Sequence, residues 1–335
     1  MMTDVIDRPA LDGARVQETG AAFAGFVRTG ATIEMKAFTG VSGDAGGYAV
    51  PREIDAAIDR ALVATSPIRG IAQVVKVGSA GYRKLVTTGG TPSGWAAEAA
   101  ARPGTASPVF QEIVPPSGEL YANPSASQAM LDDAAFDVEA WLASEIATEF
   151  GRAEGAAFVN GTGVNQPRGF LTGPTGTAPD ATRAFGTIQH LVTGTAGEFG
   201  TGGAERLIEL VHALRAPYRQ GACFVMSAAT LARIRKFKTS DGAFLWQPSL
   251  SAAQPATLLG YPVVEAEEMP EIGAGTLSVA FGNFHAGYLI AERSETAILR
   301  DPYSNKPFVG FYATKRIGGC VMNAEAIKLL KFAAN

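Results

Sequence analysis

Histidine and cysteine are scarce in this chain, with three and two residues among 335. Cys223 and Cys320 stand far apart and lack the short spacing of a metal site, so no metal ligand is assigned and both thiols are expected to be reduced. Long hydrophobic runs are missing too, and none reaches the roughly 18 apolar residues that a membrane span needs. The patch Ala21–Val27 is too short for a secretory signal, and the amino terminus around it is acidic and polar. The expectation is a soluble chain made in the cytoplasm, with no membrane partner. Nor is there an excess of either charge. A formal net charge of −4 gives no basis for a surface that reads nucleic acid. What is present is ordinary and globular: 47% hydrophobic, 18% charged, long enough for one large domain or two modest ones.

The familiar catalytic patterns are absent as well. Gly161-Thr162-Gly163 opens like a dinucleotide loop, but Gln166 stands where the third glycine belongs, and the stretch follows a helix instead of starting one. No phosphate loop ending in Gly-Lys-Ser/Thr occurs. His190 and His212 fall in expected helices and His285 in a turn between strands, none beside a nucleophile elbow. Asp132-Asp133 reads as a helix cap or approach, and Glu267-Glu268 as an exposed turn. The basic run Arg233, Arg235, Lys236 and Lys238 reads as an exposed helix end with charge suited to its carboxyl terminus. No catalytic or cofactor-binding residue is assigned, and no cofactor is expected.

The element that organises the chain is a helix expected at Asp137–Val159, roughly 33 Å long. Val138, Trp141, Leu142, Ile146, Phe150, Ala153 and Ala157 recur at helical spacing and form its apolar stripe. Asp137 caps its start, and Asn160-Gly161 supplies left-handed residues to end it. A short helix is expected at Arg52–Val63. IAQVVKV and YRKLV read as strands around the turn Gly78–Gly81, and Val109–Val114 as another. Residues 76–113 thus read as a long two-stranded loop, and loops of this length are commonly functional. Trp95 stands in its Gly/Ala/Pro-rich part, suited either to a local cluster or to anchoring another subunit. Gly118–Ala126 reads as a strand. Residues 172–293 read as an α/β unit with helices at Thr187–Val192, Ala204–Leu214 and Ala228–Lys236, and a buried strand at Ala222–Met226. Further strands are expected at 277–284, 286–293, Thr296–Arg300, Phe308–Arg316 and Gly319–Asn323, the late ones rejoining the long helix.

This order of elements resembles the major capsid proteins of tailed double-stranded DNA phages, the Hong Kong 97 type, including capsids of phage-like gene transfer agents. The resemblance runs from Gly46 to Phe332. It rests on SGWAAE (93–98), residues 126–172, LLGYPVVEAEEMP (258–270) and FGNFHAGYLIAER (281–293). It implies an α+β capsid fold with an arm at 1–47 and the start of a peripheral domain at 48–75. An extended loop follows at 76–113, then the peripheral domain with its spine helix at 114–171. The axial domain is 172–293, and peripheral return strands are 294–335.

The function so implied is a non-enzymatic one: self-assembly through pentamers and hexamers into an icosahedral virion shell, built in the host bacterial cytoplasm. The implied partners are other copies of the chain, a portal protein, either a separate scaffold or none, and decoration proteins, with double-stranded DNA enclosed without sequence reading. Only about four dozen residues precede Gly46 and carry no heptad pattern, so an attached scaffolding segment is not expected. Some relatives cross-link their shells through a lysine, an asparagine and a glutamate. Here Arg102 stands at the lysine position, and arginine stays protonated; Pro307 and Thr314 stand at the other two. A slip of two brings Asn305 to the amide position without restoring the lysine, for which Lys84 is a substitute near the loop's base. The rival readings are an encapsulin-like compartment and an α/β enzyme using His190, His212 or His285.

Overall fold

The structure is a computed structural model that describes residues 66–78, 82–88, 93–96, 102, 104–127, 138–200, 202–238, 257–293 and 296–334. The arm at 1–47, the expected helix at 52–63, the Asp137 cap and Asp132-Asp133 lie outside the described residues.

In chain order the strands are β1 (Gln73–Lys76), β2 (Lys84–Thr88), β3 (Val109–Ile113), β4 (Ser117–Ala122), β5 (Ser125–Ser127), β6 (Thr175–Gly176), β7 (Ile188–Ala196) and β8 (Cys223–Met226). They continue with β9 (Thr257–Leu258), β10 (Tyr261–Glu265), β11 (Leu277–Gly282), β12 (Tyr288–Glu292), β13 (Ala297–Asp301), β14 (Phe308–Val321) and β15 (Ile327–Ala333). The described chain divides into two compact units. The smaller takes residues from 120–150 and 295–315; the larger takes those from 63–119, 151–294 and 316–335.

The larger unit is built on a seven-stranded sheet in the order β6-β7-β15-β11-β8-β10-β9. Alternation along the strands sends neighbouring residues to opposite faces. Cys223, Val225, Ala280, Ile327 and Leu329 join one core with Phe158, Val159, Phe170 and Tyr288. Phe224, Met226, Val279, Phe281, Leu330 and Phe332 join another core with Leu207, Leu210 and Val211 of the helix Gly203–Ala213 and Leu231 and Ile234 of the helix Ala228–Arg235. The end of the chain thus returns as β15, between β7 and β11. In the same unit β1 runs parallel to β12, and β12 pairs antiparallel with residues 317–321 of β14.

In the smaller unit, β13 and β5 pair with the first part of β14. Ile146, Ala147 and Phe150 of the long helix pack on Ala313, with Leu120, Ala122, Leu142 and Ile298 around them.

The long helix runs Val138–Asn160. Its buried residues are not the expected stripe. Pairs 146/147, 150/151, 154/155 and 158/159 are buried while Ala153 is exposed and Trp141 is 45% exposed. Within the larger unit the buried residues of the helix are therefore Gly151, Glu154, Gly155, Phe158 and Val159, and within the smaller one Ile146, Ala147 and Phe150. The expected left-handed ending is also corrected. Neither Asn160 nor Gly161 has positive φ; the left-handed residues come later, at Gly163 and Asn165. Gly161 is required for room, because a Cβ there would lie 2.3 Å from the Pro167 carbonyl oxygen.

Other expectations are revised. The segment 187–192 is strand, not helix: Ile188, Leu191 and Val192 fit either period in so short a run, and parallel pairing with β15 decides it. His190 is therefore a strand residue, and His285 lies in the short helix Phe284–Gly287. The stretch 118–126 is two strands separated at Asn123-Pro124, where proline cannot donate to a ladder. Conversely, the two expected strands either side of Gly318 are one. The glycines there do not break β14; they admit close neighbours, Pro116 O at 2.9 Å and Tyr288 Oη at 2.8 Å from where a Cβ would stand on Gly318 and Gly319.

Candidate assembly surface

Among the described residues β2 and β3 pair only with each other, Lys84 opposite Ile113 through Thr88 opposite Val109. The resulting ribbon lies within the stretch 76–113, and β1 is not paired with it. One face carries Arg83, Leu85, Thr87, Phe110 and Glu112, all exposed. Leu85 is 68% and Phe110 64% exposed, and Val109 on the opposite face is 64% exposed. Trp95, in the connection between the two strands, has its whole surface in solvent. Arg83 and Glu112 meet at 2.8 Å across the ribbon, but a pair so exposed contributes little. A lone two-stranded ribbon is marginal in water, and one with this much apolar surface calls for a partner.

The ribbon springs from a root fixed by buried charge. In the short helix Pro67–Ile71, Arg69 donates through Nη2 to both carboxylate oxygens of Glu292, each at 2.9 Å, and through Nη1 to Glu154 at 3.1 Å. These side chains are at most 5% exposed, so the ions depend on each other for solvation. The network joins the short helix before β1 to the long helix and to the end of β12. Lys84 Nζ donates to Gln73 Oε1 at 3.0 Å and ties β2 to β1.

A second charge cluster lines a cleft of about 670 Å³ whose other walls include Val86, Thr87, Phe185, Tyr218 and Asn323. Asp180 accepts from Lys328 Nζ and pairs with Arg183 at 2.6 Å; Arg215 pairs with Glu325 at 3.1 Å. Burial pulls the Asp180 carboxyl upward, but Lys328 and then Arg183 outweigh it and hold the pKa below the usual value. Burial lowers the Lys328 ammonium, against the pull of Asp180. Neither cluster was legible in the sequence, though Lys328 inside Ile-Lys-Leu-Leu and Glu292 at the end of Tyr-Leu-Ile-Ala-Glu are charges in apolar strands, which was the available signal.

The chemical candidates stay scattered. His190 is buried, and burial, then Lys331, lowers its pKa; His212 and His285 are exposed. Among the described residues no hydrogen bond joins any of the three to a nucleophile or carboxylate, and no group of acidic, histidine or cysteine side chains could hold a metal ion. Glu267 is exposed; Glu268 is half-buried, and its backbone oxygen accepts from Asn160 Nδ2. Arg233, Arg235 and Lys236 are exposed at the end of their helix. Arg102 and Asn305 are exposed, whereas Lys84 is engaged with Gln73. Cys223 and Cys320 are buried free thiols, pushed up to about 12 and about 11 by burial.

An α+β fold carrying a ribbon with exposed apolar side chains offers a surface for contact with a partner. The family model for the phage capsid family matches residues 46–332. The chain therefore belongs to the phage capsid family, as a major capsid protein of the Hong Kong 97 type. The capsid of a native GTA particle, computed with C5 symmetry, is 44% identical over 91% of this chain and 99% of that one, with a TM-score of 0.74. The capsid of an empty GTA particle is 44% identical over 91% and 98%, also with a TM-score of 0.74. A structure from Microbacterium phage Oxtober96, 13% identical over 90% of this chain and 99% of that one, shares the fold at a TM-score of 0.60. The comparison with curated proteins gave no match.

Proposed function

We propose that this chain assembles through pentamers and hexamers into an icosahedral shell that encloses double-stranded DNA, without catalytic activity of its own. The carrying observation is the ribbon, whose Leu85 and Phe110, with Trp95 in its connection, stand exposed in the described chain. Similarity to the capsid of a GTA particle supports the same reading. In it, residues 1–47 are the arm, 76–113 the loop laid over a neighbour, 48–75, 114–171 and 294–335 the peripheral domain, and 172–293 the axial domain. Assembly takes place in the host cytoplasm, with a portal protein at one vertex and a separate scaffold and decoration proteins as further partners. Contacts around a ring are head-to-tail, so different patches of one chain meet.

Nuclease treatment of particles purified from the native source tests the enclosed cargo. Double-stranded DNA protected inside shells of this chain is expected. Shells holding a protein cargo and no DNA would favour an encapsulin-like compartment instead.

A further inference from the structure

Among the described residues two non-glycine residues have positive φ: Asn165 at 55° and Leu259 at 52°. Asparagine visits that region readily; leucine, with its larger side chain, does not. Leu259 and Gly260 (φ 84°) are the two central residues of the turn from β9 to β10, with Leu258 paired to Tyr261. Positive φ at both is the hairpin turn for which Asn-Gly is the favoured sequence. The hairpin is well seated. Leu258 is buried, and the Tyr261 ring packs edge-on against Phe281 at 5.0 Å. Leu259 itself joins no core cluster and is 47% exposed, so its strain is not repaid among the described residues. The surroundings are unusual for an edge. Among the described residues β9 is the outermost strand of its sheet, and Thr257–Val264 contains no charged residue, the first being Glu265 at the far end of β10. Exposed edges are ordinarily guarded by charge, because an apolar edge invites association.

We propose that Leu259 is an anchor that seats in an apolar surface of a second copy of this chain in the assembled shell. The inference rests on the shell reading above. Strained backbone persists where something beyond local packing maintains it. In a chain whose family builds shells from repeated copies, an uncharged edge hairpin tipped by a strained leucine has another copy as its natural cover.

The test uses the full chain, dissociated into subunits and reassembled. Leu259→Asn and Leu259→Gly suit the turn and remove the apolar tip; Leu259→Met keeps both the strain and the tip. For the first two, the unfolding midpoint of the subunit should rise by about 2 °C, while the concentration needed for shell formation should rise at least threefold, on the order of a 0.7 kcal/mol loss per contact at RT ≈ 0.59 kcal/mol. Leu259→Met should assemble like the wild type. A raised midpoint with an unchanged assembly threshold would overturn the anchor, and an unchanged midpoint would overturn the strain that motivates it. Normal assembly of Leu259→Asn combined with lost binding of a different protein would also count against a second copy as occupant. A wild-type chain that forms no shell sinks the shell reading and this one together; a wild-type shell indifferent to Leu259→Asn sinks this one alone.

Discussion

Lys328 has no exposed side-chain surface, and its charge is answered by Asp180. The Asp180 carboxyl has a folded pKa below its unfolded value, so the folded state binds its proton less tightly. The stability it contributes is fully present above the unfolded value of about 3.9 and is lost as pH falls through the folded pKa. Denaturant unfolding followed from pH 6 to pH 2.5 should therefore show an acid loss that Asp180→Asn flattens, with the variant already weaker at pH 6. An identical pH slope in wild type and variant would contradict this. The cysteines make a second prediction at this scale. Thiols raised to about 12 and about 11 and buried are almost entirely protonated at pH 8, and the thiolate is the reactive form. A disulfide reagent at pH 8 should titrate neither thiol in the folded chain and both in denaturant; fast native reaction of either one would contradict their burial.

The contact among Arg69, Glu154 and Glu292 belongs to the scale of elements, because each residue comes from a different one. Arg69→Met should destabilise the subunit by about 3 kcal/mol, since it leaves two buried carboxylates without their arginine. Chemical denaturation measures this, and a change below about 1 kcal/mol would show that the carboxylates are solvated some other way. On the ribbon, Trp95→Ala should leave subunit stability within about 0.5 kcal/mol, as for an exposed site, while weakening shell formation measured by sedimentation.

The same elements show what was legible in the sequence. The long helix and the helices near 204–214 and 228–236 follow from periodicity over stretches long enough to separate 3.6 from 2, and the ribbon strands from β-rich runs beside turn residues. The segment 187–192 was too short for that, and its pairing with β15, about 140 residues away, left no local trace. The buried positions of the long helix departed from one stripe because its two parts pack in different cores. The buried ion clusters depend on residues brought together from distant positions, so the sequence marked them only as charges out of place.

At the scale of the whole molecule, the account holds that one chain has surfaces meant for other copies of itself. The account predicts a shell held by noncovalent contacts. Arg102, Pro307 and Thr314 lack the chemistry of an isopeptide link, and Lys84 is held by Gln73 at the ribbon's root. Mature particles boiled in detergent with reductant should run as a single band at the size of one chain; a ladder of covalent oligomers would contradict that. The most direct test of the central claim is electron microscopy with sedimentation of the full chain, purified and taken across concentration and salt. Rings and closed, symmetric shells are the predicted result. A compact monomer that persists at high concentration under every assembly condition would contradict the account.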